Sequence, residues 1–286
     1  MSENLDCITP KEIAKDLSDK IMPNKSAYRK TKTLILAIAA GAFIAFGAQA
    51  TLTVMTGSSE NLGWGLAKML GVITFATGLM MVVLTGAELF TGNVMMAFSV
   101  IERKISLMKL LRNWGVVYLG NFIGSLIIAL LVYYSALYDG NNYALGALSL
   151  KTAYSKANLS FLEAFCRGIL CNWLVCLAVW MAISSRRVIG KIFAIFFPIM
   201  IFVASGYEHC VANMFFMPNG LLLKNVPEVV QASALTIEQL ETLNIKTFLI
   251  DNLIPVTLGN IVGVVVFVVL LFWMAYLKED QQILRK

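Results

Sequence analysis

The chain is written as long apolar stretches separated by short polar ones, and six of the apolar stretches approach the length needed to cross a bilayer. A hydrocarbon core of roughly 30 Å takes about 20 apolar residues per helical crossing. On that measure the predicted spans run over residues 34–55, 66–100, 110–137, 161–184, 192–223 and 248–277. Two of them, the second and the fifth, are too long and carry polar interruptions, so each is predicted to be a broken helix. The segment before the first span has a different pattern. Thr9, Pro10 and Glu12 make a capping-box start with proline in the first helical position, and Ile13, Leu17 and Ile21 recur at every fourth residue. This predicts a short amphipathic helix, read preferentially as an interfacial anchor and alternatively as a lid over an opening.

Composition places the whole chain in lipid: of 286 residues, 58% are hydrophobic and 14% charged, with a mean hydropathy of +0.75. The expected organisation is a cytoplasmic tail over residues 1–33, one channel domain over 34–277 and a second cytoplasmic tail over 278–286, with short loops and no separate catalytic module. The first apolar run begins too late and runs too far for a cleaved leader, so it is expected to remain as the first span.

The net charge of +6 distributes by side of the membrane. Lys11, Lys15, Lys20, Lys25, Arg29, Lys30 and Lys32 precede the first span. Arg103, Lys104 and Lys109 follow the second, Arg186, Arg187 and Lys191 the fourth, and Lys278, Arg285 and Lys286 the last. The opposite loops pair Lys151, Lys156, Lys224 and Lys246 with Glu60, Asp139, Glu228, Glu238 and Glu241. Basic residues stay cytoplasmic, so both termini are expected there, in a plasma (inner) membrane. The same dispersal argues against a nucleic-acid footprint. Cys166, Cys171 and Cys176 follow one another at five-residue spacing, turning each about 140° around a helix, so neither zinc nor any other metal or cofactor is expected.

The two interruptions share a pattern. Gly86-Ala-Glu88 with Asn93 in the second span matches Gly206-Tyr-Glu208 with Asn213 in the fifth. Gly120-Asn121 and Gly124 in the third span match Gly259-Asn260 and Gly263 in the sixth. A repeat of three spans must insert its second copy inverted, giving a 3+3 fold whose two breaks face one pathway. Each break begins a half-helix whose N-terminus carries roughly half a positive charge, so two such ends approaching from opposite sides favour an anion over a cation. Glu88, Glu208 and His209 are ionisable groups at membrane depth. His209, the only histidine, is read as functional because it sits at a break. The glutamates, at equivalent positions, are read as structural acceptors for loop backbone or for Asn and His side chains, with Asn93 and Asn213 as support at the breaks, and not as lining of an anion path. Thr91 offers a hydroxyl at the opposite break, and Lys156 is either a cation at the pathway mouth or an ordinary solvated loop lysine.

At this point the motifs resemble the formate-nitrite transporter family over all six spans. GAELFTG at 86–92, GILCNWLVCLA at 168–178 and ASGYEHCVANMF at 204–215 carry the resemblance, which is strongest to the formate channels. It implies a homopentamer of aquaporin-like protomers, each with its own pore. Thr91 and His209 would then face a central chamber, and Phe75, Leu79, Leu89 and Phe202 would form apolar constrictions. Lys156 would stand at the outer vestibule, and Asn172 and Asn260 beside the pathway. The substrate expected is a small monovalent anion, formate first and nitrite or hydrosulfide as alternatives, with pH-dependent proton exchange at His209. Arg167 departs from the pattern and is placed to bridge Glu163 one turn earlier. A neutral-solute channel is the rival class, but neither break carries an NPA triplet. An enzyme is not expected, since no nucleophile and base are paired.

Overall fold

The computed structural model describes residues 7–278, without the side chains of Ser59 and Glu60. The C-terminal tail, with Arg285 and Lys286, and the Glu60 side chain therefore lie outside the described residues. The described residues form helices and no strand, and the helices long and apolar enough to cross a membrane include Lys30–Met55, Asn61–Thr85, Leu107–Tyr134, Phe161–Ser184 and Thr247–Tyr276. The protein is an integral membrane protein.

Helix α1 (Pro10–Asp16) starts where the sequence pattern placed it, with the Thr9–Glu12 capping box closed in both directions. The two hydrogen bonds from Thr9, backbone N–H first, hold the Glu12 carboxyl below the usual range. A π turn at Leu17–Ile21 passes the chain into α2 (Met22–Ala27). Ile13, Leu17 and Met22 are buried against protein. That corrects the anchor reading: the apolar face of this segment is spent on the helical core.

Helix α3 (Lys30–Met55) is followed by α4 (Ser58–Thr85), which kinks at Gly63. The chain then breaks and resumes as α5 (Phe90–Asn93), a 3-10 turn at Val94–Met96 and α6 (Ala97–Ile101). Helix α7 (Leu107–Tyr134) starts at a Ser106 cap. Next comes α8 (Ala144–Ala157), a helix inside what the sequence suggested was a short loop. Its Leu145, Leu150 and Ala153 are buried, so this connection is a packed layer. Helix α9 (Phe161–Ser184) opens with a second capping box, Ser160 with Glu163. Glu163 is committed to that cap at 2.7 and 2.9 Å, and no ion pair joins it to Arg167 within the described residues.

The second broken run consists of α10 (Val188–Ala204) and α11 (Cys210–Leu223). Two short helices follow, α12 (Pro227–Ser233) and α13 (Ile237–Thr242). The last apolar run is one continuous path with two π turns, Thr247–Leu253 and Val265–Leu270, flanking α14 (Ile254–Val264) and leading to α15 (Leu271–Tyr276).

The helices pack in two corresponding pairs, α3 on α7 and α9 on α14. Small residues set both crossings. A Cβ built on Gly124 would overlap the Ile38 carbonyl, and one on Gly263 would overlap the Ile169 carbonyl. Backbone cannot retreat as a side chain can, so Gly124→Ala is expected to lower stability by about 1–3 kcal/mol, read as an earlier thermal transition in detergent. Wild-type stability in that variant would mean that the α3–α7 spacing is looser than described here.

Candidate functional site

Glycine ends each helix that leads into a break. Gly86 follows α4 with φ +72° and Gly206 follows α10 with φ +71°, the left-handed conformation that closes a helix C-terminus without a Cβ clash. Each loop then turns back into extended backbone at Leu89 and His209, which serve as N-caps of the next helices. At the second break the cap is side-chain made: the Ala212 N–H donates to His209 Nδ1 at 3.1 Å.

Two asparagines pin these loops in the same way. Asn121 accepts from the Phe90 N–H at 2.8 Å and donates to the Glu88 and Ala37 carbonyls at 2.9 and 2.7 Å. Asn260 accepts from the Cys210 N–H at 3.0 Å and donates to the Glu208 and Gly168 carbonyls at 3.0 and 2.8 Å. Both side chains are fully buried. Asn172 donates to the Thr91 and Asn260 carbonyls at 3.2 and 2.9 Å, and Cys176 Sγ also lies 3.2 Å from the Thr91 carbonyl. Asn172 and Asn260 therefore hold backbone; neither lines the two cavities described next.

One cavity, of about 160 Å³, lies under the α1–α2 segment, and its lining includes Lys25, Leu79, Gly86, Leu89 and Asn93. The other, of about 150 Å³, lies beside α8 and is lined by residues that include Phe75, Lys156, Phe202, Glu208, His209 and Asn213. Apolar side chains line both. Phe75 and Phe202 meet edge to face with ring centres 5.5 Å apart, while Leu79 and Leu89, both buried, line the first cavity. Thr91 Oγ1 and His209 Nε2, the latter in the lining of the second cavity, stand 2.9 Å apart. The N-terminal ends of the two half-helices thus meet.

The hydrogen bonds fix the direction of this contact. His209 Nδ1 accepts from Ala212, so a neutral ring carries its proton on Nε2 and donates it to the Thr91 oxygen. The Thr91 hydroxyl proton is then free to point elsewhere.

The lysine that lines each cavity faces a buried carboxylate. Glu88 Oε1 is 2.9 Å from Lys25 Nζ, and its other oxygen accepts from Asn93 at 2.6 Å. Glu208 is held by Lys156 at 2.8 and 3.0 Å and by Asn213 at 2.7 Å. The asparagines are themselves backed by amides, Asn113 at 2.9 Å and Asn252 at 2.7 Å. Lys156 is thus no solvated loop lysine, and Glu208 accepts from both cation and amide, whereas Glu88 accepts from Asn93 while Lys25, beside its other oxygen, donates to Asn93 Oδ1 at 3.1 Å.

Asn113 and Asn252 escaped the sequence reading, and Lys25 and Asn121 appear there without a part in the site. Asn121 was legible, because it occupies the same repeat position as Asn260. Lys25 was not: among seven basic residues before the first span, nothing in the pattern separates it from those that set topology. The described residues hold no cluster of metal ligands. Cys171, Cys176 and Cys210 are buried and unpaired.

Two cavities, each with a lysine in its lining, and a polar contact between the starts of two short helices lie among helices long and apolar enough to cross a membrane. Among known proteins, the family described as formate/nitrite transporter matches residues 11–274, and the chain belongs to that family. It is 39% identical to the formate channel FocA of Escherichia coli K12 over 277 residues, covering 96% of each chain. It is 41% identical to the probable formate transporter of Methanothermobacter thermautotrophicus, covering 87% of this chain and 90% of the relative. Among solved structures, a pentameric formate channel with formate bound is 39% identical with a TM-score of 0.78, covering 87% of this chain and 98% of that one. These relatives are channels or transporters, not enzymes.

Proposed function

We propose that this protein is a formate channel, and that the anion passes between the two cavities at the Thr91–His209 contact. The observation that carries this reading is the meeting of two half-helix N-termini, 2.9 Å apart at their first polar side chains, inside an apolar protein. Such ends stabilise negative charge and repel cations. The names of the relatives supply the choice of formate among small anions; nitrite and hydrosulfide are the alternatives.

In this proposal Lys25 and Lys156 draw the anion into the mouths without closing them, because each charge is already offset by a glutamate. Phe75 with Phe202, and Leu79 with Leu89, strip its water. Desolvation of a bare anion is costly, and the Thr91 hydroxyl, held in orientation by His209, replaces part of the lost hydration. Asn172, Asn260, Asn93 and Asn213 hold the loops rigid. Proton exchange is a further step: lending a proton requires imidazolium, and that requires Ala212 to release Nδ1. Six spans in a 3+3 inverted, aquaporin-like arrangement fit the paired breaks, paired asparagines and paired helix crossings. A channel domain over 34–277, cytoplasmic tails over 1–33 and 278–286, and a homopentamer in the inner membrane complete the reading.

The test is uptake into proteoliposomes. Labelled formate is expected to enter at a rate well above protein-free vesicles while glycerol does not; glycerol entry without formate entry would make this a neutral-solute channel. Enlarging the narrow point tests the same path, since Phe202→Ala is expected to raise formate flux severalfold, and an unchanged flux would remove the Phe75–Phe202 pair from the route.

A further inference from the structure

Lys68 has no assigned part in the arrangement described above. It lies on α4, about two helical turns before Phe75, in a crossing helix where an ammonium is costly unless it is paired or used. Its Nζ donates to the Ala204 carbonyl at 3.1 Å, reaching across to the C-terminal end of α10. It also lies 4.4 Å from the centre of the Trp64 ring. A Cβ on Gly206 would come to 3.9 Å from the same nitrogen. Gly206 and Tyr207, in the loop that this ammonium overhangs, line the Lys156-side cavity.

The contrast with the other two lysines is in charge. Lys25 and Lys156 each face a buried glutamate within 2.9 Å. Lys68 is half-exposed, its partners are a carbonyl and a ring, and no described carboxylate lies within ion-pair distance of it. A helix C-terminus and an aromatic face favour a cation, but neither neutralises it. The unmatched charge therefore stands at one rim of the pathway. The corresponding position in the other half is uncharged: the offset that brings Gly86 onto Gly206 brings Lys68 onto Val188.

Resting on the anion-channel reading, we propose that Lys68 is an anion-loading residue of the Lys156-side mouth, where the permeating anion itself serves as its transient counter-ion. The mouth then takes anions in two stages. The anion first meets a half-hydrated ammonium held over the Ala204–Gly206 loop, and next the Lys156–Glu208 pair, before it reaches Phe75 and Phe202. Attraction by one unscreened charge raises local anion concentration and weakens with ionic strength, so the two mouths should load unequally.

The test uses full-length protein in right-side-out and inside-out membrane vesicles, with labelled formate as the probe. In Lys68→Gln, which keeps a donor for Ala204 but loses the charge, half-saturation is expected to rise on the order of tenfold in one vesicle orientation only. In that orientation the wild type's sensitivity to added inert salt should also fall, and Lys68→Arg should restore both properties. Unaltered half-saturation in the opposite orientation shows that the variant is folded. An equal change in both orientations, or none in either, overturns the assignment, as does failure of arginine to rescue where glutamine is impaired. If wild-type vesicles carry no formate in either orientation, it is the channel reading that fails.

Discussion

Formate flux through His209→Phe is expected to fall roughly ten- to a hundredfold, and what remains is expected to have lost its dependence on pH. The magnitude follows from what the ring supplies. A hydrogen bond to a charged group is worth about 1.5–3 kcal/mol, and each 1.4 kcal/mol is about tenfold. Without Nε2–H the Thr91 hydroxyl loses the partner 2.9 Å away that orients it toward the path, and phenylalanine offers the anion nothing in return. The Ala212 N–H also loses the acceptor at the start of α11, a capping loss of about 1 kcal/mol. The direction with pH has its own logic. Imidazolium adds a positive charge to two converging helix ends, so wild-type flux should rise on acidification, and the phenylalanine variant should not follow. His209→Asn, which can cap Ala212 and donate weakly, should fall between the two. Uptake at two pH values separates these outcomes, and wild-type flux with wild-type pH response in the phenylalanine variant would remove His209 from the route.

The second large effect is on stability. Lys156→Met leaves Glu208, which is 4% exposed, without its cation. Breaking a buried pair from one side costs about 3–5 kcal/mol, because the remaining charge stays where it cannot be hydrated. The thermal transition of the detergent-solubilised protein should drop accordingly. Glu208→Gln added to Lys156→Met should recover most of the loss, since the amide keeps the Asn213 neighbourhood polar without a charge. The matching change at the other mouth, Lys25→Met, should cost at least as much, because the Glu88 side chain it strands is 1% exposed against 5% for Glu208. A single Lys156→Met variant as stable as the double would show that the ion pair carries no buried charge worth speaking of.

Much of this architecture could be read from residue order because it rests on local rules. Thr9 and Glu12, a cap and its reciprocal acceptor, fix the start of α1 whatever surrounds them. Gly86 and Gly206 stop helices inside apolar runs, where only a functional break makes sense, and the structure places both glycines in the left-handed conformation. The placement of Lys25 could not be read in this way. It reaches Glu88 across 63 residues of sequence because the α1–α2 segment folds back over the cavity, and that fold-back depends on Ile13, Leu17 and Met22 finding a protein surface instead of lipid. An amphipathic stripe is equally suited to either surface. Helix α8 escaped for a similar reason: its apolar residues, Leu145, Leu150 and Ala153, are too few for a membrane crossing and match a buried face only once the neighbouring helices are in place. Asn260 shows the limit of position alone, since lying near the pathway and lining it differ by where three hydrogen bonds go.

Current across a planar bilayer holding the purified protein, under a gradient of potassium formate, reads the charge of the permeating species directly. If the joined half-helix ends select for negative charge, the reversal potential will lie near the equilibrium potential of formate. A potential near that of potassium, or no current above the bare bilayer alongside glycerol permeation, would contradict that selection.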